Sequence, residues 1–118
     1  MTGLTTHILD TSSGQPANQV PIKLYSLNEN GTRRLLTETR SNDDGRTDAP
    51  LLSSDAIAVG RYELVFEMGA YFKQHHPNLP SPLFLDDIVL RFGIADVTSH
   101  YHVPLLVSPY GYSTYRGS

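Results

Sequence analysis

Alternation of apolar and polar residues with a period of two is the feature that most constrains how this chain can fold. It is clearest in residues 61–67, where Tyr62, Leu64 and Phe66 point to one face and two glutamates to the other. Comparable runs occur at residues 4–9, 21–27, 33–40, 87–92 and 100–107 and in the closing stretch. Between residues 27 and 33, Asn30-Gly31 predicts a tight antiparallel hairpin, because both residues tolerate positive φ.

These short runs, separated by turn residues, predict an all-β sandwich of seven or eight strands. Residues 68–76 give the one helix that the pattern supports, about two turns long and closed by Pro77. Residues 41–50 are a loop by composition, and we expect a short strand to begin at Arg46. A chain of 118 residues supports one core, so residues 1–118 are predicted to form a single domain.

Composition excludes several classes of function. The net charge of −3 gives no basic field for phosphates, so nucleic-acid binding is disfavoured. The absence of cysteine removes disulfides, thiolate nucleophiles and thiolate metal sites. No segment approaches the roughly 20 apolar residues that span a bilayer, and the first residues lack the pattern of a signal peptide. We therefore expect a protein of the cytoplasm.

The segment His100-Tyr101-His102 is the first candidate for chemistry. Tyr101, Val103, Leu105 and Val107 form the more apolar face of this strand and are predicted to face the core. His100 and His102 then point outward beside Pro104 and Leu106. An outer face with this much apolar surface indicates burial against another subunit.

Two other interpretations of these histidines stay open at this point. They are compatible with an ordinary exposed surface. They are also compatible with zinc, because an H-x-H pair on a strand can ligate the metal and His7, His75 or His76 can add a third nitrogen.

Three further features carry polar groups. His7 lies in the first strand on a mixed face with Thr5 and Leu9, which fits a functional or a structural histidine. Arg46 follows a turn, and Asp48 two residues later is a candidate ion-pair partner. The chain ends on "YSTYRGS", which alternates like an edge strand but is unusually polar and aromatic for a fraying end.

Taken together, these segments resemble a known family. "THILDTSSGQPA", "DDGRTD" and "HYHVPLLVSPYGYSTYRGS" resemble, in order and spacing, the 5-hydroxyisourate hydrolases, the enzyme branch of the transthyretin family. The terminal "YRGS" is the most specific element, since it resembles the motif that separates the hydrolases from the hormone carriers. The resemblance covers residues 4–118.

The resemblance implies a transthyretin-like sandwich of two four-stranded sheets. It implies a homotetramer, a dimer of dimers, with the sites in a channel at the dimer–dimer interface. The implied catalytic residues are His7, Arg46 and His102, with no metal and no cofactor. Tyr115, Arg116, Gly117 and Ser118 match the element that closes the substrate pocket, which His7 and Arg46 also line.

The implied reaction is hydrolysis of 5-hydroxyisourate to 2-oxo-4-hydroxy-4-carboxy-5-ureidoimidazoline in urate degradation. An imidazole that titrates near neutral pH suits activation of water, and a permanently charged guanidinium suits stabilisation of an oxyanion. The alternative is a carrier that uses the same channel for a small ligand without turnover. A carrier is expected to have small or apolar residues in place of His7, Arg46 and His102.

Overall fold

The computed structural model describes residues 2–117, and this part of the chain contains eight strands and one helix. The helix, α1, spans Gly69–His75. The strands are β1 (Gly3–Asp10), β2 (Gln15–Pro16), β3 (Pro21–Leu27), β4 (Arg33–Arg40), β5 (Gly60–Glu67), β6 (Asp87–Ile94), β7 (His100–Ser108) and β8 (Gly111–Thr114). The predicted all-β class with one short helix is confirmed.

The strands form two four-stranded sheets, in the orders β2-β1-β7-β8 and β4-β3-β5-β6. Strands β1 and β7 run parallel, and their pairing places residues 3–10 beside residues 100–107. Strands β3 and β4 pair antiparallel through the predicted hairpin, in which Gly31 has a φ of 85°. The architecture therefore agrees with the one that the family resemblance implies.

The core lies between the two sheets and is built from the inward face of each strand. The predicted inner face of β7 is confirmed, since Tyr101, Val103, Leu105 and Val107 are all buried. They meet apolar residues of β3, β5 and β6, among them Leu24, Phe66, Ile88 and Leu90. Each fully buried side chain of this size contributes on the order of 1.5–3 kcal/mol to folding.

Helix α1 follows β5 and packs Tyr71 and Phe72 into the core. Its end is confirmed at the predicted position, because His75 is the last helical residue and Pro77 follows closely. The Tyr71 hydroxyl donates to Asp10 Oδ2 at 2.9 Å, which ties the helix to the end of β1. No helix in residues 2–117 has the length and apolar character needed to cross a membrane.

Two local predictions were wrong. Arg46 begins no strand, because it lies in the loop between β4 and β5. The two-residue strand β2 was missed, since its Gln-Pro sequence is typical of a turn.

The loop between β4 and β5 follows the free edge of β1, where Ile8 N–H donates to Gly45 O at 2.8 Å and Leu4 N–H donates to Leu52 O at 2.9 Å. This contact carries Arg46 to the outer side of the β1–β7 pair.

Candidate active site

The candidate site lies on the outer face of the β1–β7 pair. The parallel register places Thr5 opposite His102 and His7 opposite Pro104. Since the other face of both strands is buried in the core, Thr5, His7 and His102 share the outer face, and each is half-buried. The prediction that His100 and His102 point away from the core is confirmed. The open question about His7 is also resolved, because it lies on the same outer face.

Thr5 connects the two histidines of β7. Its Oγ1 lies 2.9 Å from His102 Nδ1 and 3.1 Å from His100 Nε2, both within hydrogen-bonding distance. With Nδ1 of His102 occupied by Thr5, Nε2 is the ring nitrogen left to face a substrate. The sequence pattern predicted that Thr5 shares a face with His7. It did not predict the contact between Thr5 and His102, because these residues are 97 positions apart in the chain.

Arg46 is held by an Asx turn. Asn42 Oδ1 accepts hydrogen bonds from the backbone N–H groups of Asp44 (2.9 Å) and Arg46 (3.1 Å), and Asn42 N–H donates to Arg46 O at 2.7 Å. Gly45 has a φ of 74°, and a side chain there would collide with the carbonyl oxygen of Ile8. The turn is therefore fixed in place against β1. The expected ion pair with Asp48 is absent from residues 2–117, where Asn42 Nδ2 instead donates to that carboxylate at 3.0 Å.

The charges of these groups act on one another. Burial, and next the positive charge of Arg46, lower the pKa of His7 below its usual value, although the backbone and charge of Asp44 oppose this. Burial likewise lowers the pKa of His102, followed by the charges of Arg46, His7 and His100. Both imidazoles are therefore neutral at pH 7, the form that can accept a proton from water.

The C-terminal segment reaches this site through its backbone. Gly117 N–H donates to His102 O at 2.7 Å, and a Cβ at Gly117 would lie 3.0 Å from His102 Cδ2. Gly117 thus lies against the edge of the imidazole with no room for a side chain. Ser118 was predicted to belong to the same pocket and lies outside the described residues.

Tyr115 and Arg116 lie apart from the His7 and Arg46 side of the site. The Arg116 guanidinium lies 4.2 Å from the centre of the Tyr101 ring, and its Nη2 donates to His100 O at 3.4 Å. Tyr115 is exposed, and both residues line a cleft of about 410 Å³ between the edges formed by β6 and β8. In the single chain, Arg116 therefore anchors the terminal segment, while Gly117 reaches His102.

The described part of the chain contains no side-chain cluster of the kind that the zinc interpretation requires. Residues 2–117 hold no group of three or more His, Asp or Glu side chains placed to bind a metal. His76 lies at the end of α1, where its Nε2 is 3.2 Å from Asp10 Oδ2, and the His75 ring stacks on Tyr71. Neither histidine joins His7 and His102.

Fold and site define a two-sheet sandwich with a histidine–arginine cluster on one outer sheet face. The family model described as "HIUase/Transthyretin family" matches residues 4–117, so the chain belongs to this family. A relative from Rhizobium meliloti (strain 1021) named "5-hydroxyisourate hydrolase 2" is 56% identical over 115 residues, which cover 98% of this chain and 95% of the relative.

Solved structures agree with the family assignment. The structure titled "Structure of Klebsiella pneumoniae 5-hydroxyisourate hydrolase" has a TM-score of 0.78 and 34% identity, with 99% of this chain and 100% of that chain covered. A transthyretin from Sparus aurata has a TM-score of 0.85 at 24% identity, with 99% and 97% covered. The second likeness shows the transthyretin fold alone.

Proposed function

We propose that this chain is a hydrolase that opens the six-membered ring of 5-hydroxyisourate and yields 2-oxo-4-hydroxy-4-carboxy-5-ureidoimidazoline in urate degradation. The observation that carries the proposal is the convergence of His7, His102 and Arg46, from three separate segments, on one half-buried face. The relatives that share nearly the full chain are named for this activity, which supports the same substrate.

In the proposed mechanism, His102 is the general base. Its Nε2 takes a proton from a water molecule as the water oxygen attacks the ring carbonyl carbon. The lowered pKa of His102 supports this role, because the ring is neutral at pH 7 and has a lone pair available. The bond formed is C–O, and the electrons of the carbonyl π bond move onto its oxygen.

Arg46 stabilises the negative charge that develops on that oxygen. A guanidinium stays charged and presents a rigid set of donors, which suits an oxyanion better than a flexible ammonium group. The fixed turn at Asn42 and Gly45 supports this role, since it holds the Arg46 backbone before substrate arrives. The C–N bond then breaks, and His102 gives the departing nitrogen the proton that it took from water, which returns the ring to its neutral form. In this scheme the neutral His7 ring orients the substrate.

The terminal residues Tyr115, Arg116, Gly117 and Ser118 close the substrate pocket in this proposal. Contact of Gly117 with the His102 ring and the anchoring of Arg116 on Tyr101 support an ordered end. An ordered backbone beside the base separates the reacting atoms and the attacking water molecule from bulk solvent, and it narrows the set of substrates that fit.

We further propose a homotetramer, a dimer of dimers in the cytoplasm, in which two copies of this face meet. Leu9 lies opposite Leu106 next to the histidines, and both leucines are half-buried on the outer face of a single chain. An apolar patch beside a polar cluster is typical of a surface that a partner covers. The meeting of two such faces would turn an open surface into an enclosed site.

The proposal is tested by following the ultraviolet decay of 5-hydroxyisourate, made in situ from urate, with and without the protein. We expect clear acceleration, and a loss of at least about two orders of magnitude in His102→Asn. The matched control is His75→Asn, since His75 is exposed on α1, and it should keep full activity. Wild-type protein that does not accelerate the decay would contradict the proposal and favour a carrier. A fully active His102→Asn would overturn the role of His102.

A further inference from the structure

The Thr5 hydroxyl is placed between two imidazoles and has a single proton to give. Its Oγ1 is 2.9 Å from His102 Nδ1 and 3.1 Å from His100 Nε2. A hydroxyl donates one hydrogen bond and accepts two. If Thr5 donates to one histidine, the other must donate to Thr5 for both bonds to form.

This restriction leaves two ways to satisfy both contacts with neutral rings. In one, Thr5 donates to His102 Nδ1, so His102 carries its proton on Nε2 and cannot act as a base there. In the other, Thr5 donates to His100 Nε2 and accepts from His102 Nδ1–H, so Nε2 of His102 keeps its lone pair. The direction of one O–H bond therefore decides whether His102 Nε2 gives or takes a proton.

We propose that Thr5, backed by His100, is a positioning residue that holds His102 with its proton on Nδ1 and its Nε2 lone pair facing the substrate. The inference rests on the proposed function, in which Nε2 of His102 accepts a proton from water. Thr5 touches neither the substrate nor the reacting atoms in this scheme. It acts through His102.

The charge around His102 favours this direction. The guanidinium of Arg46 acts on His102 with a permanent positive charge. A lone pair directed toward such a group is stabilised, whereas an N–H bond directed toward it is repelled.

This arrangement leaves one ring nitrogen of His100 without a hydrogen bond. Its Nδ1 is buried and has no hydrogen-bond partner among the described residues. When Thr5 donates to Nε2 of a neutral His100, the proton of that ring must lie on Nδ1, where it remains unpaired. His100 is therefore needed as the acceptor for the Thr5 proton, and its replacement by leucine leaves that proton free to turn toward His102.

The direct test is the ¹⁵N spectrum of the imidazoles in the folded wild-type protein at a pH where His102 is neutral. We expect the proton of His102 on Nδ1. His102 with its proton on Nε2 would overturn the proposal, whatever the activity. This reading needs no turnover, so a correct tautomer without hydrolysis would refute the proposed function and leave the positioning role standing.

Variants extend the test to catalysis. Thr5→Val should lower kcat by about tenfold to a hundredfold with little change in KM, the usual cost of losing a partner that orients a functional histidine. Thr5→Ser should restore kcat, because it restores the hydroxyl. His100→Leu should move the His102 proton to Nε2 and lower kcat. Thr39→Val, which removes a hydroxyl from β4 in the other sheet, is the matched control and should retain activity. A wild-type kcat and tautomer in Thr5→Val would overturn the proposal.

Discussion

At the scale of single residues, Gly117 shows how a missing side chain shapes a site. A Cβ there would lie 3.0 Å from His102 Cδ2 and 3.2 Å from His102 Cβ, closer than ordinary contact. Gly117→Ala should therefore displace the His102 imidazole or break the 2.7 Å hydrogen bond from the backbone N–H of residue 117 to His102 O. A shift of about 1 Å at a catalytic group costs on the order of a hundredfold, so we expect kcat to fall by tenfold to a hundredfold.

The matched control for this variant is Gly111→Ala. A Cβ at Gly111 would meet only Ser108 Oγ, at 4.0 Å. Steady-state kinetics and the melting temperature of both variants give the comparison. Equal activity of Gly117→Ala and wild type would show that the ring does not depend on this contact.

The pH dependence of activity is a second prediction at this scale. Burial and the charge of Arg46 lower the pKa of both His7 and His102 from the usual 6.5. A base with a lowered pKa stays neutral to lower pH, so the acidic limb of kcat/KM should fall below pH 6.5. Arg46→Gln removes the positive charge and should raise both values. Proton NMR titration of the His102 ring in the two proteins checks the direction without turnover, and an unchanged or lower value in Arg46→Gln would contradict it.

At the scale of elements, the junction between β1 and α1 depends on Asp10. Its fully buried carboxylate accepts hydrogen bonds from Ser12, Tyr71 and His76. Burial alone would raise the pKa of Asp10, but these hydrogen bonds outweigh it and hold the pKa below the usual 3.8. Asp10→Asn should lower the free energy of unfolding at pH 7 by about 2–4 kcal/mol, because it removes a buried charge from its partners.

The lowered pKa of Asp10 determines how its contribution to the free energy of unfolding changes with pH. A carboxylate with a lowered pKa contributes its full stabilisation above pH 3.8 and loses it as the pH falls below that value. Urea unfolding should therefore show a difference between wild type and Asp10→Asn that shrinks in acid. Asp55→Asn, in an exposed turn, is the control and should leave stability within about 0.5 kcal/mol. A constant difference down to pH 2 would contradict the interpretation.

The terminal segment is the element on which the site depends most. Residues 115–117 lie beyond β8 and contribute nothing to the buried core. Deletion of residues 115–118 should therefore leave the far-ultraviolet circular dichroism spectrum unchanged while activity is lost, since the contact with His102 disappears. Arg116→Ala, which keeps Gly117 and removes the stacking on Tyr101 and the hydrogen bond to His100 O, should retain part of the activity. If the truncated protein were fully active, residues 115–118 would have no role in the site.

The elements also show how far the sequence could predict the molecule. Period-two alternation predicted which face of β7 is buried, because each strand needs only its own sequence for that inference. The parallel register of β1 on β7 could not be predicted, since it depends on packing between distant segments. That register creates the contact of Thr5 with His100 and His102. The predicted strand at Arg46 does not form, because the Asn42 side chain accepts hydrogen bonds from the backbone of this segment and holds it as a turn.

At the scale of the whole molecule, the proposed tetramer predicts a mass of about 52 kDa, four times the 13.1 kDa of one chain. Leu106→Glu places a charge on the outer face of β7, next to the candidate site. If two copies of this face meet, the variant should dissociate into dimers, because a buried unpaired carboxylate costs several kcal/mol. Activity should fall with assembly, since each site would lose the partner that encloses it.

Leu35→Glu is the matched control for that variant. Leu35 lies on β4 in the other sheet and is 49% exposed in the single chain, so an added charge stays in water. Analytical ultracentrifugation combined with the hydrolysis assay separates the outcomes. We expect Leu35→Glu to remain an active tetramer and Leu106→Glu to form dimers with little activity. A tetrameric Leu106→Glu would place the interface elsewhere, and fully active dimers of it would show that each chain carries a complete site.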